Sequence, residues 1–114
     1  MPMQNSVILI TNNGMGQGDA ALQKTLIEKY LELLLAGGDL PAVICFYTAG
    51  VKLVVDGSSV LAQLSVLEQK GVRMVICATC LNYYGLRDSV RVGIVGGMGD
   101  ILEAQTKADK VITL

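Results

Sequence analysis

At 114 residues, 52% hydrophobic and 17% charged, the chain has the make-up of one well-buried globular domain over residues 1–114. Its net charge of −1, with no basic stripe, argues against nucleic acid and acidic membrane surfaces as partners. No apolar run reaches the roughly 18 residues of a membrane-spanning helix, and Met1-Pro2-Met3-Gln4-Asn5-Ser6 has neither a positive segment nor a cleavage pattern.

The expected compartment is therefore the cytoplasm, where thiols stay reduced. Three cysteines are then better read as catalytic or metal-binding than as structural disulfides. The absence of His removes Cys–His and Ser–His catalysis. With no Trp and one Phe, Phe46, the core must be aliphatic.

Ser6-Val7-Ile8-Leu9-Ile10-Thr11 is an almost unbroken apolar run, the pattern of a strand buried on both faces. The turn-rich loop Asn12–Asp19 follows, with Asp19 placed to cap a helix. That helix is predicted over Ala20–Ala36, with Leu22, Leu26, Tyr30, Leu33 and Leu34 at helical spacing and Gly37-Gly38 as its stop. Ala42–Tyr47 is a second strand. After Asp56-Gly57, Ser58 or Ser59 can cap a helix through Gln69 with Val60, Leu61, Leu64 and Leu67 inward. Val72–Ile76 is a third strand, leading directly into Cys77-Ala78-Thr79-Cys80 and a short helix to Tyr84, stopped by Gly85. Val90–Val95 is a weaker fourth strand, Ile101–Ala108 a helix, and Val111–Thr113 a last strand. Alternating strands and helices predict an α/β fold: a three-layer α/β/α sandwich on a mostly parallel five-stranded sheet.

Cys77 and Cys80 form the sharpest feature. Ligands of open parallel sheets gather at the carboxyl ends of the strands, and a thiol opening a helix meets unpaired backbone N–H groups that favour thiolate. Cys80, three residues on, shares a helical face with Cys77. The competing reading is packing, since free cysteine is among the most buried residue types. Cys45, mid-strand, is assigned to packing. Arg73 and Arg87 are the nearby cations in sequence. Zinc usually wants four Cys or His ligands, and one pair plus a distant Cys45 does not supply them within one chain, which leaves only a site shared across a dimer; no metal and no cofactor are assigned.

Gly14-Met15-Gly16-Gln17-Gly18-Asp19 joins a strand to a helix as phosphate loops do, but its G-x-G-x-G spacing fits neither nucleotide fingerprint. It reads either as a capped turn or as a loop lying over the cysteines. Gly96-Gly97-Met98-Gly99-Asp100 is a second such turn on the same edge. Pocket candidates are thus Gly14, Gly16, Gly18, Thr79, Tyr84, Gly97 and Met98, with one of Tyr83 and Tyr84 expected in the core.

These residues resemble the DsrE/DsrF-like sulfur-relay family, and within it the DsrE-like domain of YedF-type proteins linked to selenium metabolism. The matching stretches are Asn13–Asp19, Leu40–Tyr47, Gly50–Leu53, Gly57–Leu61, Leu67–Val72 and, above all, Cys77-Ala78-Thr79-Cys80-Leu81-Asn82-Tyr83-Tyr84-Gly85-Leu86. The resemblance implies a dimer, trimer or hexamer and a cysteine that takes sulfane sulfur as a persulfide from a donor protein and passes it to an acceptor. In relay members that cysteine stands eight residues before a glycine, which matches Cys77 and Gly85; other members keep one at the Cys80 position. Ala78 stands where a glycine is usual, and the small sulfur-carrier domain of YedF-type chains is not in this sequence. In this reading Cys77 is nucleophile and carrier and Cys80 the resolving thiol. The alternatives are a thiol–disulfide switch and a binding or assembly module without turnover. So apolar a small domain is expected to hide surface in a homo-oligomer.

Overall fold

The computed structural model describes residues 3–114; Met1 and Pro2, part of the N-terminal stretch read as lacking a leader, lie outside the described residues. Five strands, β1 (Ser6–Ile10), β2 (Val43–Phe46), β3 (Arg73–Cys77), β4 (Ile94–Gly96) and β5 (Lys110–Thr113), form one all-parallel sheet in the order β4-β3-β2-β1-β5. Four α-helices connect them: α1 (Ala20–Gly37), α2 (Leu61–Gln69), α3 (Ala78–Tyr84) and α4 (Met98–Lys107). Right-handed crossovers put α1 and α2 on one face and α4, whose crossover runs the opposite way across the sheet, on the other. The α/β expectation holds, with every strand parallel. Among the described residues no helix is long and apolar enough to cross a membrane.

The apolar runs become the central strands because only there is each side chain covered from both faces. All of β1 and β2 is buried, and β3 is buried from Met74 onward. The core is aliphatic around Phe46, with Ile8, Ile10, Ile44, Ile76, Leu64 and Leu67 fully enclosed.

Several details depart from the sequence expectations. In α1 the buried residues are Ile27 and Leu31; Leu22, Leu26 and Leu33 are exposed, and Tyr30 and Leu34 are partly buried against the core. Asp19 makes no side-chain cap. Ser58 Oγ does accept the Val60 N–H, at 3.2 Å, ahead of α2. The fourth strand shrinks to three residues, because Val90 is drawn into an antiparallel bridge with Val55 and the Gly93 N–H donates to the Glu68 carboxylate at 2.9 Å. The segment after β2, without an assignment from sequence, is a 3₁₀ helix over Thr48–Val54.

This 3₁₀ helix lies hard against the carboxyl end of β1. Gly50 is buried, and a Cβ there would collide with the Ile10 carbonyl, a backbone group that cannot swing away. Overpacking of this kind costs roughly 1–3 kcal/mol. Gly50→Ala is therefore expected to lower unfolding free energy by about that amount, read as a lower urea midpoint at unchanged slope; an unchanged midpoint would mean that the approach is not tight.

Candidate functional site

The site is built where β3 ends. Cys77 is the last residue of β3 and the N-cap of α3, and its Sγ accepts the Cys80 backbone N–H at 3.4 Å. One turn on, Cys80 Sγ hydrogen-bonds Cys77 Sγ at 3.0 Å; both are free thiols. The local sequence imposes this proximity, since a residue at the N-cap and one three positions later face each other across the first turn.

Cys80 has a further partner. The Thr48 backbone N–H, from the start of the 3₁₀ helix, donates to its Sγ at 3.1 Å. Thr48 has φ +51°, the one positive φ at a non-glycine among the described residues. For a β-branched residue that costs about 1–2 kcal/mol, and it persists only where the surroundings impose it. Here it turns the amide toward the sulfur.

The two sulfurs differ in access. Cys77 is 1% exposed, whereas Cys80 is half-buried and lines a cavity of about 240 Å³ with Thr48, Thr79, Tyr83 and Tyr84. The sulfur that a molecule from outside meets is that of Cys80. Burial, and after it the hydrogen bond to Cys77, push the Cys80 thiol above its ordinary value, while the Thr48 N–H pulls the other way. Cys45, wholly buried in β2, is pushed up by burial to about 11 against the opposing charge of Arg73.

Of the residues singled out from sequence, Cys80, Thr79 and Tyr84 meet at this cavity, with Cys77 directly behind. Tyr84 packs against the core and Tyr83, 84% exposed, stands edge-on to it with ring centroids 5.3 Å apart. Gly14, Gly16 and Gly18 do not line the cavity. Their loop is tied to α1 instead: the Met15 N–H donates to the Gln23 carbonyl, Gln23 Nε2 donates to the Gly16 carbonyl, and Gly14, at φ +139°, has Gln23 where a Cβ would go. Gly97 and Met98 open α4, with the Gly97 N–H donating to Asp100 Oδ2 at 2.9 Å and Met98 exposed. Arg73 starts β3, at the strand end opposite Cys77, and the Arg87 guanidinium donates to Asn82 Oδ1. Among the described residues no three His, Cys, Asp or Glu side chains come together as a metal site would need.

A second, larger cavity of about 500 Å³ adjoins the first across Tyr84, which lines both. Its walls include Asn13, Lys24, Lys52, Leu53, Ser58 and Leu86. Lys52 Nζ lies 4.5 Å from the centre of the Tyr84 ring. Sequence reasoning gave roles to neither Thr48 nor the lysines. Thr48 acts through its backbone, which no side-chain pattern reveals; Lys52 sits in the Gly50–Leu53 stretch of the family resemblance, the one available signal.

Known proteins agree with this architecture. The model of the DsrE/DsrF-like family matches residues 5–114. The crystal structure of the ychN protein from E. coli superposes with a TM-score of 0.71 at 20% identity, over 98% of this chain and 100% of that one. MTH1491 from Methanobacterium thermoautotrophicum, a protein of unknown function, gives 0.71 at 22% identity over 97% of this chain and 99% of that chain. BT1422 from Bacteroides thetaiotaomicron, also of unknown function, gives 0.64 at 17% identity, with coverage of 96% and 95%. No curated protein matches the sequence.

The three thiols are expected to react in order of access. Under native conditions iodoacetamide should modify Cys80 first and leave Cys45 untouched until the chain unfolds. Because the Cys80 thiol is raised, its alkylation rate should climb with pH without a plateau below the ordinary thiol range. Peptide mapping that finds Cys45 labelled as fast as Cys80 would contradict the burial order.

Proposed function

The chain belongs to the DsrE/DsrF-like family, and from that premise we propose that it relays sulfane sulfur, with Cys80 as the persulfide carrier and Cys77 as the sulfur behind it. The observation that carries this reading is the pairing of a thiol open to a cavity with a buried thiol 3.0 Å away. The family resemblance alone favoured Cys77 as carrier; its 1% exposure argues for Cys80 as the receiving sulfur.

Loading is a displacement. The Cys80 sulfur forms a bond to the outer sulfur of a donor persulfide, the donor's S–S bond breaks, and the departing sulfur leaves with the electron pair and a proton. Cys80–SH and R–S–SH thus become Cys80–S–SH and R–SH, with no net oxidation. Cys77 Sγ is the nearest acceptor for the Cys80 proton, and the Thr48 N–H holds the attacking sulfur toward the cavity mouth. Unloading to an acceptor thiol is the same exchange in reverse. The sequence resemblance to YedF-type proteins extends the proposal to selenium, which takes part in the same displacement.

A second reading has its own support. Two reduced sulfurs in contact are placed for a disulfide, so the pair can also serve as a thiol–disulfide switch. We assign the working site to the cytoplasm and to a homo-oligomer. Ile94, Met98, Leu102 and Val111 are exposed apolar side chains that self-association would cover, and light scattering of a micromolar sample tests this, a monomer counting against it.

The decisive measurement is peptide mass spectrometry after polysulfide treatment of wild type, Cys77→Ser and Cys80→Ser. Addition of one sulfur to Cys80, lost in Cys80→Ser and retained but slowed in Cys77→Ser, is the expected result. A sulfur found on Cys77 in Cys80→Ser at the wild-type rate would return the carrier role to Cys77. A Cys77–Cys80 disulfide without an adduct would favour the switch, and unreactive native thiols a module without turnover.

A further inference from the structure

The 500 Å³ cavity beyond Tyr84 has no part in the chemistry of the thiol pair, yet it shares a wall with the cavity of Cys80. Its charge is one-sided. Lys24, from α1, and Lys52, from the 3₁₀ helix, both line it, and among the described residues neither takes part in an ion pair. The one carboxylate in the wall, Asp56, is already occupied: Arg91 grips both of its oxygens, at 2.7 Å each. Asn13, Ser58 and Ser59 add neutral polar groups, and Leu53, Val55, Tyr84 and Leu86 an apolar floor. A volume of this size suits a small organic molecule, with its apolar body covered and a few polar groups fixing its orientation. A bare inorganic anion would leave most of it empty.

Resting on the assignment of Cys80 as carrier, we infer that this cavity is the docking site of a low-molecular-weight persulfide that bears carboxylates on a peptide-sized body. The carboxylates pair with Lys24 and Lys52, the body lies on Tyr84 and Leu86, and the sulfane sulfur reaches past the Tyr84 ring to Cys80. Lys52 Nζ rests 4.5 Å from that ring, so charge recognition and the receiving sulfur are separated by one aromatic side chain. The transfer is that written above: the bond from Cys80 Sγ to the outer sulfur forms, the donor S–S bond breaks, and the free thiol departs with the proton.

Glutathione persulfide, which carries two carboxylates, and the carboxylate-free persulfide of 2-mercaptoethanol are the probes, with sulfur loading of Cys80 followed by mass spectrometry at low salt. The wild type is expected to load faster from the carboxylate-bearing donor, and the ratio of the two rates to fall about fivefold in each of Lys24→Gln and Lys52→Gln, as for the loss of one solvent-exposed ion pair. Lys52→Arg should keep most of the ratio, and added salt should lower it. In parallel, S-methylglutathione, which cannot transfer sulfur, should bind the Cys80→Ser protein and lose affinity in Lys52→Gln by calorimetry. Equal loading from both donors, with ratios unmoved by the lysine variants and no binding of S-methylglutathione, would overturn the docking site while leaving Cys80 as carrier. Failure of both donors to load Cys80, with S-methylglutathione still bound, would instead overturn the carrier assignment and keep the site.

Discussion

The candidate site depends on the landing of one short helix on the sheet. Gly50 lets the 3₁₀ helix Thr48–Val54 come down on the Ile10 carbonyl at the end of β1, closer than any side chain would permit. That seat decides three things at once. It points the Thr48 amide at the Cys80 sulfur, it lays Lys52 against Tyr84, and it supplies wall residues to both cavities. The strained φ of Thr48 follows from the same seat, because the chain must turn out of β2 and down onto the sheet edge within two residues. Core packing and reactive geometry are here the same contact.

The two thiols of the pair are unequal. Both cysteines belong to one turn, but the N-cap position buries Cys77 at the end of β3 while Cys80 faces outward. The buried sulfur accepts a hydrogen bond, and the half-buried one lines the cavity. Burial, and after it the hydrogen bond to Cys77, raise the Cys80 thiol, while the Thr48 N–H pulls the other way.

Much of the fold was legible in the sequence because runs such as Ser6–Thr11 have no polar face to expose and must be covered on both sides. The register of α1 was not. Leucines and isoleucines lie around most of that helix, so helical spacing alone could not separate the stripe of Leu22, Leu26 and Leu33 from the face of Ile27 and Leu31 that the sheet covers. Val90 was read into a strand because its neighbours alternate; the bridge to Val55, thirty-odd positions away, is invisible locally. At the site, Cys77-Ala78-Thr79-Cys80 gave the pair, since its proximity is local. Which sulfur is open, and the contributions of Thr48, Lys24 and Lys52, come from other segments. The glycines of Gly14–Gly18 form a loop at the right edge, yet Gly14 packs against Gln23 and the Gly16 carbonyl accepts from its side chain.

The two contacts of Cys80 differ in how far the chain must travel to make them. The bond to Cys77 spans three residues and forms with a single turn of helix, whereas the one from Thr48 spans 32 and forms only after β2 and β3 have paired. Long-range contacts arrive late in folding. A chain still emerging, or one that has lost its 3₁₀ helix by local opening, therefore holds two adjacent thiols before the structure that governs them exists. Until then the pair lacks the Thr48 contact, and the arrangement of its sulfurs rests on one turn of helix alone.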